Sequence, residues 1–136
     1  MNKRALGIGF MGVLALSCAG AAASTVADDL PGRTELKRAD LDGAPGMEVI
    51  TSVVVIQPGE VMPAHFHHGV ETGYVLEGGR VVVEGKPEFE LVTGAPLMNA
   101  RGVMHGGFKV LSDAPIKLVT VHVVDKHKPL YDGMKH

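Results

Sequence analysis

Glycine and proline divide this chain into short runs of β-branched residues, and this division limits the folds that it can adopt. The 18 glycines and 8 prolines fall almost entirely between the runs rather than inside them. Short Val- and Ile-rich runs with turn signals roughly every 8 to 12 residues are typical of an all-β sandwich or barrel. We therefore predict one antiparallel β domain, with strands within residues 47–57, 72–77, 80–84, 89–92, 104–111 and 116–125.

The first 23 residues have the three-part form of a secretory signal peptide. Lys3 and Arg4 make a positive start, residues 8–16 are mostly apolar, and Ala21-Ala22-Ala23 offers a cleavage site. A transmembrane anchor is the alternative, although the apolar run is short and rich in glycine. Lipid attachment at Cys18 is a poorer match, because Leu16 stands one place too close to the cysteine. We expect an exported protein, periplasmic or secreted.

Cleavage after residue 23 would leave 113 residues and would remove the only cysteine. Thiolate ligands, cysteine nucleophiles and disulfides are then excluded from the mature domain, although it would lie where disulfides can form. The mature chain has 11 basic and 15 acidic residues and no basic run, so we expect no nucleic-acid partner. We predict a flexible segment over residues 24–33, a barrel over 34–125 and a tail over 126–136, in which 129–131 could pack back on the barrel.

Three histidines crowd together between two of the predicted strands. Side chains two residues apart in a strand share a face, so His65 and His67 project together while Phe66 and His68 point away. Glu71 follows a short turn and can return to the same face. Two imidazoles and a carboxylate suit a borderline divalent metal, with a further histidine as fourth ligand. The alternative is a polar rim on a solvated loop, because histidine-rich tracts are only a compositional hint.

The spacing of this cluster resembles the first motif of the cupin superfamily. That motif is a glycine, five residues, His-x-His, three or four residues, a glutamate, six residues and a glycine. Here these positions are Gly59, His65, His67, Glu71 and Gly78.

A second cupin motif is matched in part. Gly94, Gly102 and His105 stand at its glycine and histidine positions, whereas Ala100 replaces the usual proline and Lys109 the usual asparagine. The resemblance implies a single-domain cupin barrel, or double-stranded jelly roll, that binds one divalent transition metal such as Fe, Mn, Cu, Ni or Zn. It assigns His65, His67, Glu71 and His105 as the ligands.

Such a ligand set leaves coordination positions open, as in a catalytic rather than a structural site. The resemblance implies an enzyme acting on a small oxygenated molecule, either an oxygenase resembling quercetin dioxygenase or an isomerase or lyase acting on a sugar acid. A non-catalytic cupin that binds a metal or a carbohydrate is the other class. Glu71 could also leave the metal and act as a base.

Several further residues are candidates for the surroundings of the metal. His122 lies among apolar strand residues and is either a base beside the site or a residue of the outer face, which alternation cannot decide without the register. Gly73 shares the face of Glu71 and could leave room for a substrate. Arg101 could bind an anion, although a surface turn suits it better. The candidate walls of the substrate space are Met62, Val75, Met98 and Phe108.

We also expect a homodimer. Residues 47–57 form a long apolar strand, and such a strand at the edge of a sheet needs to be covered.

Overall fold

The computed structural model describes residues 29–134, which form nine β-strands in two antiparallel sheets. This confirms the all-β class and the jelly-roll architecture. The strands are β1 (Arg33–Asp40), β2 (Met47–Ile56), β3 (Val61–Met62), β4 (Gly69–Glu77), β5 (Gly79–Val83), β6 (Phe89–Leu91), β7 (Pro96–Asn99), β8 (Phe108–Val110) and β9 (Ile116–Asp125). The predicted signal peptide and Cys18 lie outside the described residues.

The five-stranded sheet has the order β1-β2-β9-β4-β7, and the four-stranded sheet has the order β3-β8-β5-β6. In β2 and β9, buried residues alternate with half-buried ones, because each strand turns one face inward. The apolar core draws on both sheets, so the interior lies between them. Its buried members include Val54, Ile56, Val75, Ile116 and Leu118 from the first sheet, and Met62, Val81 and Val110 from the second.

The runs predicted over 47–57, 80–84, 89–92 and 116–125 agree with β2, β5, β6 and β9 to within one residue at each end. Strand β9 has the predicted bounds, and β2 ends one residue early. Strands β1, β3 and β7 were not predicted. β1 is charged and largely exposed, and the other two are very short. The run predicted over 104–111 is a strand only at Phe108–Val110, because Gly106 and Gly107 have positive φ angles that end regular pairing.

Strand β2 is not an edge strand, contrary to the expectation behind the homodimer. It pairs along its whole length with β9 and, on its other side, with β1. The need to cover an exposed edge of β2 is therefore met within the chain, and this reason for dimerisation fails.

Both ends of the described chain are tied to the barrel. In the segment expected to be flexible, Leu30 is buried in the core and Arg33 begins β1. At the other end Tyr131 is 2% exposed, and Phe66 and Asp132 form an isolated β-bridge. The C-terminal strap, which we define as residues 129–134, thus packs back on the barrel as predicted.

Candidate metal centre

His65 and His67 lie in a short extended stretch between β3 and β4. The backbone N–H of His65 donates to the carbonyl of His105 at 2.9 Å, and the N–H of His105 donates back at 2.8 Å. The bridge between Phe66 and Asp132 holds the other side of the stretch. Both histidines are therefore buried, 3% and 1% exposed, whereas Phe66 and His68 are half-buried on the opposite face.

A tight glycine turn brings His105 to the same place. Gly106 and Gly107 follow it with φ angles of 75° and 68°, which only glycine adopts readily. A Cβ atom on Gly106 would lie 2.6 Å from the carbonyl oxygen of Pro63. The turn thus needs glycine both for its conformation and for its close approach to the His65 segment.

The Nδ1 atoms of the three imidazoles each lie within hydrogen-bonding distance of a backbone carbonyl. His65 donates to Pro63 at 2.8 Å, His67 donates to Leu130, and His105 donates to Val103 at 2.9 Å. A proton on Nδ1 leaves the lone pair on Nε2 for a metal, which is how metal-binding histidines are generally oriented. Burial lowers the pKa of His65 to about 4, so its imidazole is neutral at physiological pH.

Glu71 brings a carboxylate to these imidazoles from β4. Its Oε2 atom lies 3.1 Å from Nε2 of His105 and 3.4 Å from Nε2 of His67, and it accepts a hydrogen bond from Asn99 at 2.7 Å. Burial by itself would raise the pKa of Glu71, but the imidazoles of His105, His122 and His67 hold it well below its usual range. Glu71 is therefore ionised.

The distances between these acceptor atoms suit a shared cation. The Nε2 atoms of His67 and His105 lie 3.1 Å apart, and neutral lone pairs at that distance need a proton or a cation between them. Two ligands at right angles on a metal, each at about 2.1 Å, are separated by about 3.0 Å. The ligand atoms of His65, His67 and His105 all lie within 4.8 Å of one another. The residues thus fit a divalent metal.

His122 faces the interior, which settles the question left open by the sequence. It pairs with Glu71 across β9 and β4 and is fully buried. Its Nε2 atom lies 3.3 Å from Oε1 of Glu71, without the alignment of a hydrogen bond, and Nδ1 has no partner within residues 29–134. Burial lowers the pKa of His122. A second set of mutually close ligand atoms, from His67, Glu71 and His122, therefore adjoins the first.

The inward side chains of the five-stranded sheet form successive rows across its strands. The row at the metal centre is polar, the next contains two hydroxyl residues and a glycine, and the third is aliphatic. In order these rows are Ile50, His122, Glu71 and Asn99; Ser52, Thr120, Gly73 and Leu97; and Val54, Leu118 and Val75. The interior thus becomes less polar with distance from the ligands.

A cavity of about 160 Å³ extends from the metal centre into this interior. Its wall is mainly apolar, and among the described residues that line it none is lysine or arginine. The lining residues are Leu30, Val54, Met62, His65, Glu71, Leu91, Leu97, Asn99, His105, Gly106, Phe108, Leu118, Thr120 and Tyr131.

The family model described as "Cupin domain" matches residues 52–122, more than half of the chain. The chain belongs to the cupin family. No curated protein matches this cupin. Within residues 29–134 there is no helix with the length and apolar character needed to cross a membrane.

The solved structures to which this cupin is similar have low sequence identity to it. A protein with a double-stranded beta-helix domain from Klebsiella pneumoniae has a TM-score of 0.51 and 16% identity, over 71% of this chain and 78% of that chain. The polyketide cyclase RemF from Streptomyces resistomycificus has 0.47 and 24%, over 78% and 77%. The DMSP lyase DddQ from Ruegeria pomeroyi has 0.47 and 22%, over 59% of this chain and 40% of the lyase. This cupin thus spans less than half of the lyase's length.

Two of the four predicted walls line the cavity of the cupin, and the other two do not. Met62 and Phe108 line the cavity, whereas Val75 is fully buried in the core. Met98 is 76% exposed, because alternation along β7 turns Leu97 and Asn99 inward instead.

Gly73 does not leave room for a substrate, contrary to the prediction. A Cβ atom there would lie 2.8 Å from the carbonyl oxygen of Val119 and 3.4 Å from Cγ2 of Thr120. The glycine is needed because the neighbouring strand comes close.

Two polar residues from the sequence analysis lie away from the centre. Arg101 donates two hydrogen bonds to the carboxylate of Asp125, at 2.7 and 3.0 Å, and so belongs to a surface ion pair. His68 pairs with Asp132 at 2.9 Å. Asn99, by contrast, was missed, because only the β4–β7 register places it beside Glu71.

Proposed function

We propose that this cupin is a metal-dependent enzyme that acts on a small oxygenated organic molecule, with dioxygenase-like chemistry. One observation carries the proposal. Three imidazoles with fixed Nδ1 protons and an ionised carboxylate converge at one end of a mainly apolar cavity. Such a centre combines ligands for a transition metal with a mainly apolar space for a substrate.

His65, His67, Glu71 and His105 would hold the metal. A bound redox-active metal would supply a Lewis acid and a site for dioxygen activation. The metal could be iron, manganese, copper, nickel or zinc, and only the redox-active members of this group support the dioxygenase reading.

We assign Glu71 a second role as a base. Oε2 of the carboxylate faces His67, His105 and Asn99, whereas Oε1 faces the neutral imidazole of His122 at 3.3 Å. Because the pKa of Glu71 lies well below its usual range, the carboxylate would accept a proton only from a substrate that the metal makes more acidic. His122, whose Nε2 atom lies 3.3 Å from Oε1, would take the proton onward.

The cavity favours a small and mostly apolar substrate over a flavonol or a sugar acid. An engineered cavity of about 150 Å³ accommodates benzene, so a flavonol would require this cavity to enlarge. A sugar acid would bring many hydroxyls and a negative charge to a wall without lysine or arginine, and unpaired buried polar groups are costly. Small diketones therefore fit this cavity better than flavonols or sugar acids do.

The experiment combines metal analysis with oxygen uptake. Protein purified from its native compartment should hold about one transition-metal ion per chain, and it should consume oxygen with small diketones more readily than with flavonols or sugar acids. The His65→Ala/His67→Ala variant should lose the metal and the uptake. His127→Asn, on an exposed turn, is the control and should keep both. Full metal occupancy in the double variant would reject the ligand assignment.

A non-catalytic zinc-binding cupin is the second candidate. The two ligand sets share His67 and together offer four histidines and a carboxylate, enough to close the coordination of a zinc ion. Tight zinc binding by the native protein, with no turnover after exchange for iron or copper, would favour this candidate over the enzyme.

We further propose that the protein is exported and forms a homodimer, in which an edge strand of the five-stranded sheet, β1 or β7, and not β2 would lie at the contact. Residues 1–23 support export through their signal-peptide form. Cell fractionation tests the first proposal, and sedimentation velocity of the purified protein tests the second. Retention in the cytoplasm, or a monomer at micromolar concentration, would reject the respective proposal.

A further inference from the structure

The outward face of the five-stranded sheet is apolar at its centre. The register of β2, β9, β4 and β7 aligns the outward side chains in three rows across the strands, and none of these side chains is charged. In order the rows are Val49, Val123 and Val70; Thr51, Val121, Thr72 and Met98; and Val53, Val119, Tyr74 and Pro96. An antiparallel sheet with one face in water normally alternates apolar with polar residues, so this face has the composition of one that is covered.

The side chains of β4 and of the edge strand β7 are the most exposed part of this face. Met98 is 76% exposed, Tyr74 is 46% exposed, and Val70 and Leu76 are each 40% exposed. The outward valines of β2 and β9 are half-buried. Contiguous exposed apolar surface is typical of an interaction site, and this one is centred on β4 and β7.

The area of the sheet face is close to that of one side of a dimer interface. Each residue of a sheet covers about 16 Å², so the five strands together present roughly 700 Å². One partner contributes about 800 Å² to a stable interface, which has an apolar centre and a polar rim. Charged residues lie at the rim of this face, with Lys37 on the edge strand β1, and Lys117 and Asp125 towards the two ends of β9.

The charges at both ends of β9 are compensated within the chain, which favours a second copy as the partner. Lys117 pairs with Glu77 at 2.6 Å, and Asp125 pairs with Arg101 at 2.7 Å. Two copies can therefore meet at this face without bringing unpaired charges of β9 together. A membrane surface would instead require unpaired basic residues around the apolar centre. Interfaces between identical chains are also more apolar than those between chains that associate transiently.

We propose that two copies of the chain pack these sheet faces against each other around a two-fold axis, with β4 and β7 at the centre of the contact. The inference rests on the proposed homodimer and names its surface. The edge strand β7 contributes the side chain of Met98 rather than a backbone edge, because it is four residues long and begins with a proline. The backbone edges of β2 take no part, since β1 and β9 already pair with them.

Lysine substitutions at the two most exposed positions of the face test the contact. Sedimentation velocity over a dilution series of the protein purified from its native compartment should give a dimer dissociation constant. Tyr74→Lys/Met98→Lys should raise this constant at least about 100-fold, because unpaired charges would be buried. The control is Val61→Lys/Val92→Lys, at positions outside this face that are 59% and 56% exposed, and it should change the constant less than about threefold.

A variant of opposite charge separates loss of the contact from loss of the fold. Tyr74→Glu/Met98→Glu should also be monomeric at micromolar concentration. An equal mixture of the lysine and glutamate variants should form a dimer again, because opposite charges then meet across the two-fold contact. Each variant should keep the circular dichroism spectrum of the wild-type protein. If a double variant does not fold, Met98→Lys alone, at a position 76% exposed, should still raise the dissociation constant about tenfold.

Three results would overturn the face-to-face contact: lysine variants that dimerise as tightly as the wild-type protein, a mixture of two folded variants that stays monomeric, or wild-type protein that is monomeric. The first result would leave the homodimer in place with its contact elsewhere, whereas the third would reject the homodimer as well. The two failures are therefore distinguishable. Neither depends on the metal centre, which lies on the other face of the sheet.

Discussion

Each candidate ligand of the proposed metal centre is positioned by a second group of the same protein. Backbone carbonyls fix the three imidazoles, and the side-chain amide of Asn99 holds Oε2 of Glu71 at 2.7 Å. The carbonyls cannot be removed by a side-chain substitution, but the amide can. A substitution at Asn99 can therefore measure how much these positioning contacts add to metal affinity.

Replacing Asn99 with alanine should weaken metal binding without removing a ligand. Loss of an outer hydrogen-bond partner typically lowers metal affinity by about 10- to 100-fold, because the ligand is no longer oriented. Competition with a chromophoric chelator would measure the affinity. Gln57→Ala, which removes an exposed amide just after β2, is the control. An affinity for Asn99→Ala within twofold of the wild-type value would show that Glu71 is oriented without it.

A second prediction concerns the acidic stability of the β1 surface. Hydrogen bonding to Arg38, assisted by Arg33, outweighs burial and lowers the pKa of Glu35 to about 2. The ionised group therefore stabilises the fold above pH 4.5, and this contribution disappears as the pH falls from 4.5 towards 2. Since the side chain of Glu35 is 33% exposed, we expect Glu35→Gln to lose only about 1 kcal/mol of unfolding free energy at pH 7.

Urea unfolding at several pH values measures this difference. The wild-type and Glu35→Gln proteins should differ at pH 7 and converge near pH 2. The matched control is Glu84→Gln, because Glu84 is exposed and has no ion-pair partner among the described residues. A difference that stays constant down to pH 2 would show that the ion pairs of Glu35 do not stabilise β1.

At the scale of the elements, the sequence could predict long regular strands but not their partners. An unbroken Val- and Ile-rich run predicted β9, and its inward face carries both Thr120 and His122. Strand β1 was not predicted because its sequence is charged. It is an edge strand of the sheet and is largely exposed. The neighbours of a strand residue on adjacent strands are set by the register between the strands. The sequence alone therefore could not show that His122 lies on one side of Glu71 and Asn99 on the other.

The C-terminal strap is an element whose effect on the centre can be tested. The carbonyl of Leu130 accepts from Nδ1 of His67, and Tyr131 covers His65 and His67. Deleting residues 129–136 should lower the unfolding free energy by about 4 kcal/mol, since a buried aromatic side chain is lost. It should also reduce metal affinity, because the imidazole of His67 would no longer be fixed.

Chemical denaturation and chelator competition measure these two effects of the strap. Deletion of residues 135–136 alone leaves the strap in place and is the control, with no change expected in either quantity. A truncated protein that keeps wild-type metal affinity would show that the Leu130 carbonyl does not position His67.

At the scale of the whole molecule, the metal centre and the apolar core occupy two ends of one interior. The sequence could predict that His65, His67 and Glu71 lie close together, because the motif spacing places them within a short stretch. It could not predict the cavity, which is built from residues as distant in sequence as Leu30 and Tyr131. Three histidines and a glutamate are buried in this interior, so part of the barrel is stabilised only when their charges and lone pairs are satisfied.

Metal binding should therefore stabilise the whole barrel, by an amount set by the free metal concentration. A ligand at 100 times its dissociation constant adds about 2.7 kcal/mol to the unfolding free energy. The melting temperature should rise with added metal and fall after chelation. Protein without residues 1–23 contains no cysteine, so no disulfide contributes to this change in melting temperature. The melting temperature of the His65→Ala/His67→Ala variant should not depend on the metal concentration. If the melting temperature of the wild-type protein did not depend on it either, the folded protein would not contain the proposed metal centre.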